Sequence, residues 1–228
     1  MSKSPLVVRD CWLGRVPYQD AWDLQRELVE GVKAGTALDT LLLLEHPHVF
    51  TLGRRGTEDH VLWDETERRR RKVELVWSDR GGDATYHGPG QLVGYPVLDL
   101  DRMGGDLLTY LRGLEDSLIA YLAELGIQGG PIPGLTGVWA GDAKVAAIGV
   151  KLTGRVLSHG FALNLTTDLA YFDGIVPCGL PDKKTTSVER LTGRRVVVEE
   201  AAQSYARHFE SAFGVELRAD EAPAPVTA

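Results

Sequence analysis

Apolar residues recur with helical spacing at three places along the chain. Positions three to four residues apart predict a helix over residues 18–35, and a leucine stripe predicts a second helix over residues 107–125. Glycine, which commonly closes a helix, stands at the end of the first as Gly35 and just past the second as Gly126. An amphipathic pattern near the carboxyl end predicts a third helix over residues 199–213.

Stretches of strand-forming residues separate these helices. The apolar run 41–53 predicts a buried strand that turns at its His-Pro pair, and residues 144–164 predict a hairpin that turns at a Thr-Gly pair. Further strands are predicted over residues 73–77 and 91–100. Because strands and helices mix without a regular βαβ repeat, the pattern indicates an α+β fold in which helices flank a mixed, mainly antiparallel sheet.

Other segments are predicted to lie outside this framework. The charged run 64–72 is expected at the surface, and the glycine- and proline-rich stretch 129–137 is expected to form a loop. No low-complexity linker interrupts the chain, so residues 1–218 are interpreted as one domain and residues 219–228 as a disordered tail.

Composition and charge exclude several classes of protein. With 43% hydrophobic and 25% charged residues the chain is typical of a soluble globular protein. Its longest apolar runs are far shorter than a membrane span, and its first residues lack a secretion signal, so we expect a cytoplasmic protein. The net charge of −7 argues against a general nucleic-acid binder. Two distant cysteines form neither a disulfide framework nor a structural zinc site.

The first chemical motif is the segment 78–100, SDRGGDATYHGPGQLVGYPVLDL, in which Gly81, Gly82, Gly88 and Gly90 surround polar side chains. Glycine lets the backbone approach a ligand closely, and clustered N–H groups can bind an oxyanion. A glycine-rich hairpin without a ligand is an equally good interpretation of this segment alone. It contains neither the dinucleotide-binding fingerprint nor a phosphate-binding P-loop.

Two further motifs carry reactive groups. Lys144 opens a run of small apolar residues, KVAAIGV, and Cys178 stands between proline and glycine in IVPCGL, a context typical of a turn. Free cysteines are more often buried as small apolar residues, which is how we interpret Cys11. A cysteine in a turn is accessible, so Cys178 is a candidate nucleophile.

A cysteine nucleophile needs a neighbouring cation, because a thiol with a pKa of about 8.5 is only slightly ionised at neutral pH. One lysine at about 4 Å is sufficient, since it contributes on the order of 4 kcal/mol at an effective dielectric constant near 20. Lys144 is a better candidate than Lys183 and Lys184, which lie in a polar stretch where solvent would screen them. His87 and His159 could serve the same purpose, and the residues alone do not decide between lysine and histidine.

Four motifs together, RGGDATYHGPGQLVGYPVLDL, KVAAIGV, SHGFALN and IVPCGL, resemble those of the octanoyl-acyl-carrier-protein:protein N-octanoyltransferases, the lipoate-protein ligase B family. The resemblance spans roughly residues 15–215 and implies the α+β fold of the biotin and lipoate protein ligases. It implies that Cys178 carries the acyl group and that Lys144 lowers the pKa of this thiol and acts as acid and base. The implied substrate-binding residues are Arg80, Gly81, Gly82, Asp83, Ala84, Thr85, Tyr86, His87, Ala147, Ile148, Gly149, Gly160, Phe161 and Ala162.

The resemblance also implies a reaction. The octanoyl group would pass from acyl-carrier protein through Cys178 to the lysine amine of lipoyl domains, in 2-oxoacid dehydrogenase E2 subunits and in the glycine cleavage H protein. A thioester is already activated, so no ATP, other cofactor or metal is expected. We expect a monomer, and a basic rim that receives the acidic carrier protein; its candidate residues are Arg54, Arg55, Lys183 and Lys184.

Three alternatives remain at this point. An ATP-dependent lipoate or biotin ligase has the same fold but activates its acid as an adenylate and needs no cysteine nucleophile. A cysteine thioesterase or hydrolase would release free fatty acid instead of acylated protein. A binding module without catalysis would have a cysteine no more reactive than a model thiol.

Overall fold

The computed structural model describes residues 5–177 and 184–220. Its elements are β1 (Leu6–Arg15), α1 (Tyr18–Ala34), β2 (Thr40–Glu45), β3 (Val49–Leu52), α2 (Glu65–Arg70), β4 (Glu74–Trp77), β5 (Ala84–His87), β6 (Gln91–Val97), α3 (Leu107–Glu124), β7 (Gly130–Ile132), β8 (Leu135–Ala140), β9 (Ala143–Thr153), β10 (Val156–Asn164), β11 (Lys184–Thr185), α4 (Val188–Thr192), α5 (Val198–Phe213) and β12 (Val215–Ala219). Short 3₁₀ turns cover Glu58–His60 and Leu169–Gly174.

The strands form two sheets in the described part of the chain. The larger has the order β12-β1-β2-β6-β10-β9-β8-β7, with β11 beside β9, and the smaller has the order β4-β3-β5. In the larger sheet β1 runs parallel to both β12 and β2, and β11 runs parallel to β9, whereas the other neighbours are antiparallel. The predicted mixed, mainly antiparallel sheet is therefore confirmed.

Helices cover both faces of the larger sheet. The buried residues of α3 and α5 share one apolar cluster with residues of β2, β6, β9 and β10. Those of α1 share a second cluster with the opposite face of β2 and β6. The smaller sheet has its own cluster around Phe50 and Tyr86. None of the described helices is both long and apolar enough to cross a membrane.

The helices and the hairpin agree closely with the sequence patterns. The three long helices start and end within one residue of their predicted positions, and Gly35, at a φ of 71°, closes α1 in the left-handed conformation. The hairpin of β9 and β10 turns where expected, with Gly154 at a φ of 63°. Run 41–53 divides into β2 and β3 at the predicted turn, and these two strands belong to different sheets.

Two features depart from the sequence prediction. Residues 129–137 were expected as a loop, and this was wrong, because they contain β7 and the start of β8. Proline is tolerated there because β7 is the last strand of the sheet order, where a missing N–H does not break a ladder on both sides. Strands β1, β5, β11 and β12 were not predicted. Residue 219 of the expected tail ends β12, and residues 221–228 lie outside the described residues.

Candidate active site

A cavity lies on the side of the larger sheet that α1 covers. All the predicted substrate-binding residues except Tyr86 line it, together with Tyr18, Tyr95 and His159. The segment 80–87, which starts after β4 and ends with β5, thus meets the centres of β9 and β10. The fold therefore brings together three motifs that lie far apart in the sequence, between Arg80 and Ala162.

Tyr86 is the exception among the predicted residues. Its ring stacks on Tyr171 with centroids 5.1 Å apart, and its hydroxyl is 2.8 Å from Nδ1 of His48. It belongs to the apolar cluster of the smaller sheet. Successive side chains of a strand alternate between faces, so Thr85 and His87 reach the cavity while Tyr86 packs behind it.

Small residues on β9 and β10 form one wall of the cavity. Ala147 is paired with Ala162, and Gly149 is paired with Gly160. A Cβ atom on Gly149 would lie 2.7 Å from the carbonyl oxygen of Gly81. Glycine at 149 therefore allows the segment that begins at Arg80 to pack directly on β9.

Two backbone N–H groups of the glycine-rich segment 78–100 donate hydrogen bonds to other parts of the protein. Gly81 N–H donates to the Val150 carbonyl at 2.9 Å, and Gly90 N–H donates to Oε1 of Glu45 at 2.8 Å. These two N–H groups are therefore occupied and do not hold an oxyanion in this conformation. The close backbone approach that glycine was expected to allow toward a ligand is made here between Gly81 and strand β9.

Arg80 fixes the same segment from inside. Its side chain is buried, and its Nη2 donates to the carbonyl oxygens of Thr51 at 2.6 Å and Asp83 at 2.7 Å. Its Nε donates to Oγ1 of Thr51 at 3.1 Å. The guanidinium thus ties β3 to the segment before β5 and sets the shape of one end of the cavity.

A second, narrower cavity adjoins the first. The two share Thr85, Ala147 and Ala162 in their walls. The second cavity is also lined by Lys144 and by Pro177, the residue that precedes Cys178. The remaining lining residues are Gln91, Asn164, Phe172 and Thr185.

A β-bulge in β9 puts Lys144 on the cavity side of the sheet. The ladder between β8 and β9 pairs Val138 with Ala146 but Trp139 with Lys144, so Val145 is an extra residue on β9. Val145 and Ala146 both pack into the cluster under α3 and α5. In a regular strand Lys144 and the cavity-lining residue three positions later, Ala147, would face opposite sides.

Cys178 and Lys183 lie outside the described residues. The chain on both sides of this gap runs beside Lys144, because Pro177 lines the same cavity and Thr185 pairs with Lys144 in the parallel β11–β9 ladder. Thr186 N–H donates to the Lys144 carbonyl at 2.9 Å. Of the other predicted rim residues, Arg54, Arg55 and Lys184 are exposed, and Nζ of Lys184 is 3.7 Å from Asp142.

The histidines of the cavity are buried in ways that favour their neutral form. Burial, reinforced by the nearby His46 and Arg80, holds the pKa of His87 well below its ordinary value. Burial also lowers the pKa of His159, although its Nε2 is 2.8 Å from Oδ1 of Asp79. A neutral imidazole does not supply the positive charge that a thiolate needs, so these contacts favour Lys144 over either histidine as the cation.

His159 is unusual in its backbone as well. It adopts a φ of 55°, in the left-handed region that non-glycine residues rarely occupy. The conformation is supported from α1, where Oε1 of Gln25 accepts a hydrogen bond from the His159 N–H at 2.7 Å. The Asp79 carboxylate, which also accepts from Nζ of Lys151 at 2.6 Å, has a lowered pKa, chiefly because of its hydrogen bond to His159.

A buried chain of amides links the two cavities. His87 Nδ1 is 2.8 Å from Oε1 of Gln91, whose Nε2 donates to Oδ1 of Asn164 at 2.9 Å. Asn164 Nδ2 in turn donates to the Thr186 carbonyl at 3.0 Å. The chain after residue 183 is thereby anchored to β6 and β10 next to Lys144.

Tyr18 and Tyr95 are the cavity residues that sequence reasoning missed. Tyr95 lies on β6 four residues after Gln91, a spacing that places both on one face, and this alternation was the available signal. Tyr18 begins α1 and reaches the cavity only because α1 packs on the sheet, which no local pattern indicates. Over residues 5–177 and 184–220, no three histidine, cysteine or carboxylate side chains converge as a metal ion would require.

Comparison with known proteins agrees with this architecture. Residues 17–210 match the family described as the lipoyl protein ligase A/B catalytic domain. An octanoyltransferase of Solibacter usitatus is 49% identical over 213 residues, which are 92% of this chain and 96% of the relative. An octanoyltransferase of Chloroflexus aurantiacus is 46% identical over 212 residues, covering 92% of this chain and 95% of the relative.

Solved structures show the same fold at low sequence identity. Lipoate-protein ligase A bound with ATP superposes with a TM-score of 0.78 at 18% identity, over 96% of this chain and 91% of that one. The biotin protein ligase of Aquifex aeolicus in complex with biotin and ATP gives a TM-score of 0.56 at 16% identity, over 90% of this chain and 70% of that one. The biotin and lipoate ligase fold expected from the motifs is confirmed. The chain belongs to the lipoyl protein ligase A/B catalytic-domain family and, within it, to the octanoyltransferases, which are acyltransferase enzymes.

Proposed function

We propose that this enzyme transfers an octanoyl group from acyl-carrier protein to the lysine amine of lipoyl domains, through a thioester on Cys178. The names of its relatives support octanoyl transfer. The observation that carries the choice of residues is the narrow cavity that Lys144 shares with Pro177. Pro177 immediately precedes Cys178 in the sequence, which supports Lys144 as the group that acts with this thiol.

The first half-reaction forms the enzyme thioester. The Cys178 thiolate attacks the carbonyl carbon of the octanoyl thioester, and the bond to the carrier's sulfur breaks. The Lys144 ammonium gives its proton to the departing sulfur, so that the carrier leaves as a thiol. Beforehand, the same positive charge favours the thiolate, because it is partly screened from water at its half-buried position.

The second half-reaction returns the enzyme to its starting state. The acceptor's neutral lysine amine attacks the octanoyl carbonyl carbon, and the carbon–sulfur bond to Cys178 breaks. Lys144, now neutral, takes the proton that the attacking nitrogen loses, and Cys178 leaves as thiolate. The products are an amide and an enzyme with the same charges as at the start, and no nucleotide is consumed.

The wider cavity is proposed to hold the acyl chain. It adjoins the Lys144 cavity across Thr85, Ala147 and Ala162, and the two alanines face each other across the β9–β10 ladder. Small side chains at this junction leave room for an extended chain that continues toward Gly149 and Gly160. Eight carbons span on the order of 9 Å, about the length of three residues of a strand.

Exposed basic residues are proposed to receive the acidic donor. Arg54 and Arg55 are exposed, and the side chain of Lys184 is 77% exposed. An enzyme whose net charge is −7 needs such a local patch to favour association with an acidic partner. Lys183, the fourth residue of the expected rim, lies outside the described residues.

Mass spectrometry of the purified enzyme after brief incubation with octanoyl-acyl-carrier protein tests the proposal. We expect one added octanoyl group on the peptide that contains Cys178. Addition of a lipoyl domain should remove this group from the enzyme and form octanoyl-lysine on the domain. Cys178→Ser should form no thioester adduct and should lose transfer while its circular dichroism spectrum is unchanged. Octanoyl-lysine formed at an undiminished rate by Cys178→Ser contradicts the proposal.

The same experiment separates the alternatives. Octanoyl-adenylate formed from labelled ATP and free octanoate would indicate an ATP-dependent ligase. Free octanoate in place of octanoyl-lysine would indicate a hydrolase. Alkylation of Cys178 by iodoacetamide at the rate of a model thiol would indicate a binding module.

A further inference from the structure

Trp139 lies directly opposite Lys144 across the β8–β9 ladder. Opposed residues of an antiparallel pair have their Cβ atoms about 5 Å apart on the same face, so their side chains can touch. Here Nζ of Lys144 lies over the indole ring, 4.8 Å from its centroid. This distance is inside the range of about 6 Å over which a cation is attracted to an aromatic face.

The two members of this pair differ in freedom. Trp139 is 2% exposed, and its ring is therefore fixed by packing. Lys144 is half-buried and carries a long side chain that solvent alone would leave in many rotamers. A fixed aromatic face beside a flexible ammonium restricts the ammonium and leaves the ring unchanged.

The β-bulge places the Lys144–Trp139 pair on the cavity side of the sheet. The extra residue Val145 turns into the core and leaves Lys144 on the cavity side, where the register places Trp139 opposite it. Gly137, two residues before Trp139, adopts a φ of 117°, and a Cβ there would lie 2.6 Å from the Ala146 carbonyl oxygen. The bulge in β9 and the positive φ of Gly137 in β8 thus accompany the register that puts the Trp139 ring against Nζ of Lys144.

We propose that Trp139 is a positioning residue that holds the Lys144 ammonium at the cavity through a cation–π contact. This inference rests on the proposed role of Lys144 in acyl transfer. Trp139 acts through Lys144 and not on the acyl group, so its removal should have no further effect in an enzyme that lacks the lysine. That requirement distinguishes positioning from a general contribution to stability.

A double-mutant cycle tests this requirement, with the rate of Cys178 alkylation by iodoacetamide at pH 7 as readout. Trp139→Leu should slow alkylation about 3- to 30-fold, the range expected for losing a partly desolvated cation–π contact. Trp139→Phe keeps an aromatic face and should restore most of the rate. In the Lys144→Met background, Trp139→Leu should change the rate less than about twofold.

Two controls separate positioning from folding. Trp12→Leu makes the same substitution at a half-buried tryptophan of β1 and should leave alkylation unchanged, and urea unfolding of each variant reports its stability. Wild-type enzyme provides a readout that needs no mutant to fold. Its Lys144 ε-proton NMR resonances should be shifted upfield by the indole ring current, and the shift should diminish in Trp139→Phe.

Different outcomes of these experiments test the role of Trp139 and the proposed acyl transfer separately. Absence of the upfield shift, or equal effects of Trp139→Leu with and without Lys144, overturns the role of Trp139. Absence of an octanoyl adduct on wild-type Cys178 overturns the proposed function instead, and the NMR measurement then decides on its own whether Trp139 holds Lys144. Upfield resonances together with a non-additive cycle support the proposal.

Discussion

At the scale of single residues, the position of Lys144 depends on its neighbours more than on its own chemistry. A bulge at Val145 turns it to the cavity side, and Trp139 lies under its ammonium. Pro177 and Thr185, which flank the segment that carries Cys178, lie beside it. Among the described residues, Lys144 therefore lies next to both ends of the segment that contains Cys178.

Replacing this amine tests its proposed role. Lys144→Met should slow Cys178 alkylation at pH 7 at least about tenfold and raise the pH at which alkylation begins, because a lost cation no longer favours the thiolate. The readout is specific, since Cys11 is fully buried and burial raises the pKa of its thiol to about 11. Lys33→Met, on the exposed side of α1, is the matched control. A pH profile of alkylation that is the same in Lys144→Met as in the wild type would remove Lys144 from the mechanism.

The motifs predicted residues that the fold brings together around one cavity. Thirteen of the fourteen predicted substrate-binding residues line one cavity, and Tyr86 does not because it lies on the other face of β5. Tyr18, Tyr95 and Trp139 were not predicted. The positions of Tyr18 and Trp139 depend on the packing of α1 and on the register of β8, about which the local sequence carries no information. Tyr95 could have been found, because it shares a face of β6 with Gln91.

At the scale of elements, helices were easier to predict than strands. The long helices have a buried stripe that repeats every 3.6 residues over at least 16 residues, so one error in the pattern changes little. Strand β5 has four residues and β7 has three, and both contain or adjoin glycine. Such short segments are stabilised by their partners in the sheet, which the local sequence does not reveal.

The bulge should depend on Gly137. Gly137→Ala should lower the free energy of unfolding by roughly 1–3 kcal/mol, because alanine disfavours the positive φ and its Cβ would approach the Ala146 carbonyl oxygen to 2.6 Å. Urea denaturation measures this change. Gly130→Ala on the neighbouring strand is the control, since no atom lies within 4 Å of a Cβ there. Equal stability of the two variants would contradict the strain described for Gly137.

The junction between the two cavities should select acyl length. Ala147→Leu places a larger side chain where both cavities meet, so octanoyl transfer should fall at least about tenfold while acetyl transfer falls less. Rates with octanoyl and acetyl thioesters of the carrier measure the ratio. Ala120→Leu, on the exposed side of α3, should change neither rate. Equal losses for both acyl groups would place the chain elsewhere.

At the scale of the whole molecule, buried neutral histidines make stability depend on pH. His46 is fully buried, its Nδ1 is 2.7 Å from the Val16 carbonyl, and its Nε2 is 2.7 Å from the Tyr95 hydroxyl. The neutral ring satisfies both contacts by donating to the carbonyl and accepting from the hydroxyl. Burial lowers the pKa of His46 to about 4.

The sign of the effect follows from proton binding. Between pH 6.5 and 4 the unfolded chain binds a proton at His46 that the folded chain does not, so acidification should lower the free energy of unfolding, by about 3 kcal/mol. His46→Gln keeps a donor and an acceptor and should flatten this part of the curve. His208→Gln, at a partly exposed histidine hydrogen-bonded to Glu124, is the control. Parallel curves for wild type and His46→Gln would refute the assignment.

The single additional residue in β9 has a consequence for how this active site can diverge. Lys144 and Ala147 can both lie on the cavity side with two core-facing residues between them, as here, or with one, as in regular alternation. Deleting Val145 would leave Ala146 opposite Val138 and Lys144 opposite Trp139 without a bulge. Related sequences can therefore be expected to lose this residue as well as to substitute it, provided that the residue left between the amine and Ala147 is apolar.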